Sequence, residues 1–99
     1  MAESVIQGSI VDTARKMGWK VTVFSSDRRT RVARKSVPDL YLVHAGQQRQ
    51  VWIECKDTGK EAREDQQEWI DSVLESGGEA YCCDSLDKAL AIMTEGVDI

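Results

Sequence analysis

The chain has 99 residues, of which 41% are hydrophobic and 30% charged, and its net charge is −4. This size and composition fit one soluble domain over 1–99 and leave little room for a separate substrate-binding module. No apolar run is long enough to span a membrane. Residues 1–10 lack the basic start and apolar block of a signal peptide, so we expect a cytoplasmic protein with no membrane partner.

The first part of the chain predicts a helix, a strand and a loop. Ile6, Ile10 and Ala14 recur at helical spacing and predict a helix over 3–17, followed by Gly18 as a stop. Aromatic and β-branched residues predict a strand over 19–25. The polar and basic stretch that comes next predicts a loop over 26–37.

A hairpin follows that loop. Strands are expected over 40–44 and 50–56, with a turn around Gly46 between them. In the second strand Val51, Ile53 and Cys55 alternate with more polar neighbours, which is typical of a strand buried on one face.

The last part of the chain predicts a helix over 62–76, a strand over 80–83 and a helix over 86–94. The first of these helices has an apolar stripe formed by Ile70, Val73 and Leu74. The predicted order is αβββαβα. Three sequential strands and a fourth reached through a helix indicate an α/β fold with a mixed sheet and helices on its faces.

Cysteine usage and charge distribution give further information about the class of protein. The cysteines are odd in number and lack CxxC spacing, which argues against a disulfide framework or a zinc site and predicts three reduced thiols. Charge is segregated along the chain. A basic cluster comprises Arg28, Arg29, Arg31, Arg34 and Lys35, and an acidic stretch comprises Glu61, Glu64, Asp65, Glu68, Asp71 and Glu75. The basic cluster either contacts DNA phosphates or is a solvated loop.

Glu54 and Lys56 lie two apart on a predicted strand and therefore share a face. A carboxylate can hold a hard cation there, and an ammonium can stabilise charge on a phosphate or assist an attacking water. The same pattern also occurs as an ordinary ion pair, so this motif alone is weakly specific.

The only proline, Pro38, precedes Asp39 at the start of the strand expected to pair with the strand of Glu54. This placement brings a second carboxylate toward the first. The alternative is a turn-forming Pro-Asp with no chemical role.

Polar residues also interrupt the inner stripes of two predicted helices. Gln66 lies four residues before Ile70, and Glu3 is in line with Ile10 and Ala14. A half-buried polar side chain needs partners, which a site shared with Asp39, Glu54 and Lys56 would supply. Solvated helix ends are the alternative. His44, the only histidine, is expected at the surface beside the hairpin turn.

Pro38-Asp39 followed by Glu54-x-Lys56 resembles the motif of PD-(D/E)xK nucleases, whose fold is restriction-endonuclease-like. The wider chain is similar to one branch, the VRR-NUC domain, through Glu3-Ser4, Val37-Pro38-Asp39-Leu40, Ile53-Glu54-Cys55-Lys56 and Gln66-x-x-Trp69. Ser36 departs from the resemblance, because the family usually has glycine two residues before its proline.

The resemblance implies an active site of Glu3, Asp39, Glu54, Lys56 and Gln66. Asp39, Glu54, Glu3 and the backbone carbonyl of Cys55 would be the metal ligands, for Mg²⁺ or Mn²⁺. It further implies a stand-alone, Holliday-junction-resolvase-like DNA endonuclease that is a homodimer and acts on four-way junctions or flaps. The alternatives are a catalytically inactive nucleic-acid-binding module on the same fold and an adaptor that recruits a partner through its acidic helix.

Overall fold

The computed structural model describes residues 1–24 and 36–95. Within them the chain has three helices and four strands in the order αβββαβα, so the predicted order is confirmed. The elements are α1 (Glu3–Lys16), β1 (Lys20–Val23), β2 (Leu40–His44), β3 (Arg49–Cys55), α2 (Glu64–Glu75), β4 (Glu79–Cys83) and α3 (Leu86–Met93).

The four strands form one sheet in the order β1-β2-β3-β4. β2 is antiparallel to both β1 and β3, as the predicted hairpin requires. β4 is parallel to β3 because α2 carries the chain back to the starting edge before β4 begins. The expected mixed sheet flanked by helices is therefore confirmed.

Strand alternation gives the two faces of the sheet different contents. Val51, Ile53 and Cys55 are fully buried on the face that packs against α1 and α3. Trp52 and Glu54 lie between them in sequence and therefore point to the other face, where α2 packs. The main core contains Ile6, Ile10, Val11, Ala14, Trp19, Leu40, Leu42, Val51, Ile53, Cys55, Cys83, Ala89 and Met93.

Two sequence-based expectations about side-chain exposure are wrong. Leu74, assigned to the inner stripe of α2, is 48% exposed, whereas Ile70 is 3% exposed. His44 is half-buried because its ring packs edge-on against Trp19 with the ring centroids 5.1 Å apart. Its Nδ1 accepts a hydrogen bond from the backbone N–H of Gln47.

The three cysteines are free, as the sequence predicts, and Cys55 and Cys83 are buried. In the described part of the chain, no helix is long and apolar enough to cross a membrane.

Exchange of Ile70 for alanine tests how α2 is attached to the sheet. We expect Ile70→Ala to lower the free energy of unfolding by about 2–4 kcal/mol, because it removes a buried side chain and leaves a cavity. Leu74→Ala on the same helix is the matched control and should change stability by less than about 0.5 kcal/mol. Urea unfolding followed by circular dichroism measures both values. Equal losses in the two variants would contradict the assigned orientation of the helix.

Candidate active site

Asp39 and Glu54 face each other across the β2–β3 pair. The antiparallel register pairs Leu40 with Ile53, so one further step places Asp39 opposite Glu54. The backbone carbonyl of Asp39 also accepts the N–H of Phe24 at 2.8 Å, which continues the β1–β2 pairing to this position. The backbone that carries Asp39 is thus held from both sides, as expected for a carboxylate that must keep a fixed position.

The side chain of Asp39 is anchored by the neighbouring strand. Its Oδ2 accepts the backbone N–H of Cys55 at 3.0 Å. The Cys55 thiol points into the opposite, apolar face, where burial raises the pKa of this thiol far above its usual range. Because such a thiol stays protonated, only the backbone of Cys55 is suited to a role in the site.

Glu54 is the most unusual group in this arrangement, since it is charged in water yet only 2% exposed here. Burial first, and then the charge of Asp39 and the hydrogen bond with it, raise the pKa of Glu54 to about 9, while Lys56 acts in the opposite direction. The two carboxyl groups therefore bind a proton at neutral pH unless another cation takes its place.

Gln66 holds Glu54 from α2. The Gln66 Nε2 donates to Glu54 Oε2 at 2.9 Å, and the Gln66 Oε1 accepts the backbone N–H of Arg63 at 2.9 Å. The second bond fixes the direction of the amide, because a backbone N–H can only donate and must face the oxygen. The single side chain of Gln66 therefore caps the first turn of α2 and also donates a hydrogen bond to the Glu54 carboxylate.

This double role explains where α2 begins. The sequence predicts a start at residue 62, but Arg63 has an extended backbone and the helix starts at Glu64. Gln66 occupies the third helical position, from which a Gln side chain reaches back to the residue before the helix. The inward orientation predicted for Gln66 is what the structure has, since the residue is 6% exposed.

Lys56 directly follows β3 and is half-buried. Its backbone N–H donates to the carbonyl of Cys83 at 3.0 Å, which extends the parallel pairing by one residue. Its ammonium charge acts to lower the pKa of both Glu54 and Glu3, so it lies within electrostatic reach of both carboxyl groups.

Glu3 reaches the site because the start of α1 is attached to the loop after β3. The backbone N–H of Glu3 donates to Asp57 Oδ1 at 2.6 Å, and the N–H of Thr58 donates to the Met1 carbonyl at 3.0 Å. Burial and the charge of Asp39 raise the pKa of Glu3. The structure therefore brings Glu3 to the edge of the Asp39–Glu54 pair.

The carboxyl pair, rather than a larger cluster, is the centre of the site. Across residues 1–24 and 36–95, no three His, Cys, Asp or Glu side chains are arranged to hold a metal ion. Asp39 and Glu54 still present facing carboxyl oxygens, the donors that Mg²⁺ and Mn²⁺ prefer, with positive charge needed before both can ionise. The residues thus fit a divalent cation held by this pair, with Glu3 further out.

Two residues of this region were not predicted from the sequence. Asp57 binds the start of α1, and Arg63 lies at the start of α2, next to Gln66 in the hydrogen-bond network. In the sequence, Arg63 is only a single positive charge within an acidic stretch, which does not predict a site role. The predicted DNA contacts Arg28, Arg29, Arg31, Arg34 and Lys35 lie outside the described residues.

Comparisons with known proteins identify the family and agree with the fold. The sequence matches the VRR-NUC domain family over residues 3–87. A solved structure described as a "VRR_NUC domain" superimposes with a TM-score of 0.72 at 13% identity, covering 95% of this chain and 96% of the other. No curated protein matches the sequence. Glu3, Asp39, Glu54, Lys56 and Gln66 all lie within the matched range. The chain therefore belongs to the VRR-NUC family of nuclease-type domains.

Proposed function

We propose that this protein is a metal-dependent endonuclease that hydrolyses the phosphodiester bonds of DNA. The observation that carries the proposal is the pair of facing carboxyl groups, the buried Glu54 and the half-buried Asp39, with an ammonium group beside it. Burial of one acidic group next to another destabilises the fold unless a cation is bound there. A catalytic role explains such an arrangement more readily than a contribution to the stability of the fold.

Each residue of the site has a proposed role, and the metal-binding roles of Glu3 and of the Cys55 carbonyl are carried over from the resemblance. Asp39 and Glu54, with the carbonyl oxygen of Cys55, are the proposed ligands of Mg²⁺ or Mn²⁺, and Glu3 completes the site from α1. The N–H of Cys55 and the amide of Gln66 hold the two carboxylates in position. When bound, the metal would supply charge neutralisation at the phosphate and a more acidic attacking water.

Lys56 is the proposed catalytic cation. Its ammonium group lies within electrostatic reach of Glu54 and Glu3, and its backbone is held by the hydrogen bond to Cys83 at the end of β3. From there it can donate hydrogen bonds to the reacting phosphate, whose oxygens gain charge as water attacks, or orient that water. Its half-buried position makes this interaction stronger than the same contact in bulk water.

Loss of either Lys56 or Asp39 tests the mechanism. Lys56→Ala and Asp39→Ala should each reduce Mg²⁺- or Mn²⁺-dependent plasmid nicking by at least about 100-fold, because each removes a charge that acts in the transition state. Lys16→Ala, which removes an exposed lysine at the end of α1, is the control and should cut normally. Circular dichroism should show an intact fold in all three variants. Nicking at the wild-type rate by both site variants would contradict the mechanism and favour an inactive binding module.

The raised pKa of Glu54 gives a pH-dependent stability with a definite sign. The folded protein binds the Glu54 proton more tightly than the unfolded chain, whose carboxyl has a pKa near 4.5. Stability from this group is therefore complete below about pH 4.5 and declines toward about pH 9. Glu54→Gln keeps the acceptor for Gln66 without the charge, so its melting temperature should fall less between pH 5 and pH 8 than that of the wild type.

The same two proteins test the metal site without an activity assay. At pH 8, millimolar Mg²⁺ should raise the melting temperature of the wild type, because the cation replaces the proton between Asp39 and Glu54. The Glu54→Gln protein should show a smaller rise. Differential scanning fluorimetry measures both effects, and identical pH and Mg²⁺ responses in the two proteins would rule out the proposed ligand role of Glu54.

We also propose branched DNA as the substrate and a homodimer as the active form, both carried over from the resemblance. Two copies would place two sites on opposed strands, which suits a four-way junction. Under equal conditions the protein should cut a four-way junction or a flap faster than a linear duplex of the same sequence. Equal rates on all three substrates would argue for a general endonuclease, and a monomer by analytical ultracentrifugation would exclude the two-site arrangement.

A further inference from the structure

A hydrogen-bonded relay connects the segment before Asp39 to the start of α2. Ser36 donates through its hydroxyl to Asp65 Oδ2 at 3.0 Å. The opposite oxygen of the same carboxylate, Oδ1, accepts Arg63 Nε at 3.2 Å, and Arg63 Nη2 lies 3.4 Å from Oδ2. Asp65 thus receives Ser36 from one segment and the guanidinium of Arg63 from another.

The relay is formed by residues next to those that carry or hold the carboxyl pair. Ser36 is three residues before Asp39, Asp65 adjoins Gln66, and the backbone of Arg63 binds the Gln66 amide that holds Glu54. The Arg63 side chain is 53% exposed, whereas that of Glu54 is 2% exposed. The hydrogen bond with Asp65 is the main cause of the raised pKa of the Arg63 guanidinium. The charges of Glu54 and Glu3 also contribute to this rise, which places the guanidinium within electrostatic reach of the site.

A stabilising role explains little of this arrangement. Ion pairs between exposed side chains contribute about 0–1 kcal/mol, and both Arg63 and Asp65 are more than a third exposed. The hydrogen bond from Ser36 orients the Asp65 carboxylate, so it sets the geometry of the Arg63–Asp65 ion pair rather than its strength. Arginine presents five N–H donors in a rigid plane that matches the geometry of phosphate oxygens. A guanidinium held in one direction near the carboxyl pair is suited to binding an anion such as phosphate, because its positive charge offsets the repulsion between the anion and the carboxylates.

We propose that Arg63 binds a backbone phosphate of the DNA next to the phosphodiester that is cleaved, and that Ser36 and Asp65 set the direction of its guanidinium. This inference rests on the proposed nuclease function. Arg63 is a substrate-binding residue in this scheme, and Ser36 and Asp65 are positioning residues.

The first test measures DNA affinity in a Lys56→Ala background with Mg²⁺, where cleavage is suppressed. Arg63→Ala should weaken binding of a labelled four-way junction roughly 5- to 20-fold and reduce the salt slope of the affinity by about one. The variant keeps the backbone N–H that binds Gln66, so the carboxyl pair stays in place. Arg15→Ala, which removes an exposed arginine from the last turn of α1, is the matched control and should change neither value.

The second test separates positioning from net charge. Asp65→Asn removes a negative charge, which alone would strengthen DNA binding, yet we expect weaker binding because Arg63 loses its partner. Asp71→Asn removes the same charge further along α2 and should leave affinity unchanged or slightly higher. Ser36→Ala should weaken binding about 2- to 5-fold, but not further in the presence of Arg63→Ala, because the two residues act as a unit.

Ser36→Thr keeps a hydroxyl and should restore most of the affinity that Ser36→Ala loses. Unchanged affinity and salt slope in Arg63→Ala would overturn the inference, as would additive effects of Ser36→Ala and Arg63→Ala. Failure of the nuclease proposal has a separate signature, because wild-type protein would then bind DNA without Mg²⁺- or Mn²⁺-dependent nicking. In that case the same affinities and slopes still decide whether Arg63 binds a phosphate.

Discussion

The site depends on one constraint, the register that places Asp39 opposite Glu54 at the end of the β2–β3 pair. Burial and the facing charge of Asp39 oppose the ionisation of Glu54. A register shifted by one residue would point Glu54 into the apolar core and Cys55 toward α2. The buried residues Leu40, Leu42 and Ile53 prevent this shift, so the core on one face fixes the chemistry on the other.

Gln66 provides a hydrogen-bond partner for the buried Glu54 without neutralising its charge. A lysine or arginine in its place would form an ion pair with Glu54 and compete with any metal for the carboxylate. An amide donates a hydrogen bond but carries no charge, so it orients Glu54 and leaves the attraction for a cation intact. The same amide closes the first turn of α2 through the Arg63 N–H. The position of the helix and that of the carboxylate are therefore set by a single side chain.

Much of this could be predicted from the sequence because the relevant signals have short range. Alternation through Val51, Ile53 and Cys55 determines which face Glu54 takes, and the single proline marks where the strand after it begins. Helical spacing likewise turns Gln66 inward. For Leu74 the same spacing failed, because an apolar stripe has a centre and an edge, and periodicity does not show which residues lie at the edge.

The start of α2 and the role of Arg63 required the structure for a different reason. Arginine is not a helix-capping residue, so nothing in the local sequence marks residue 63 as a boundary. The relay from Ser36 through Asp65 joins residues that are 29 apart in the chain, so its partners are known only from the folded structure. Asp57 binds α1 across an even longer separation.

The two faces of the sheet have different roles, one in stability and the other in the candidate site. α1 and α3 cover a face of fully buried aliphatic residues and cysteines, which provides most of the hydrophobic stabilisation. α2 covers the other face, where the buried side chains Glu54 and Gln66 are polar and the first of these weakens the fold when ionised. Because apolar burial on one face offsets the cost on the other, a domain this small can keep a partly buried carboxyl pair in position. A cation between the two carboxylates would lower this cost, so stability and the proposed chemistry would favour the same bound state.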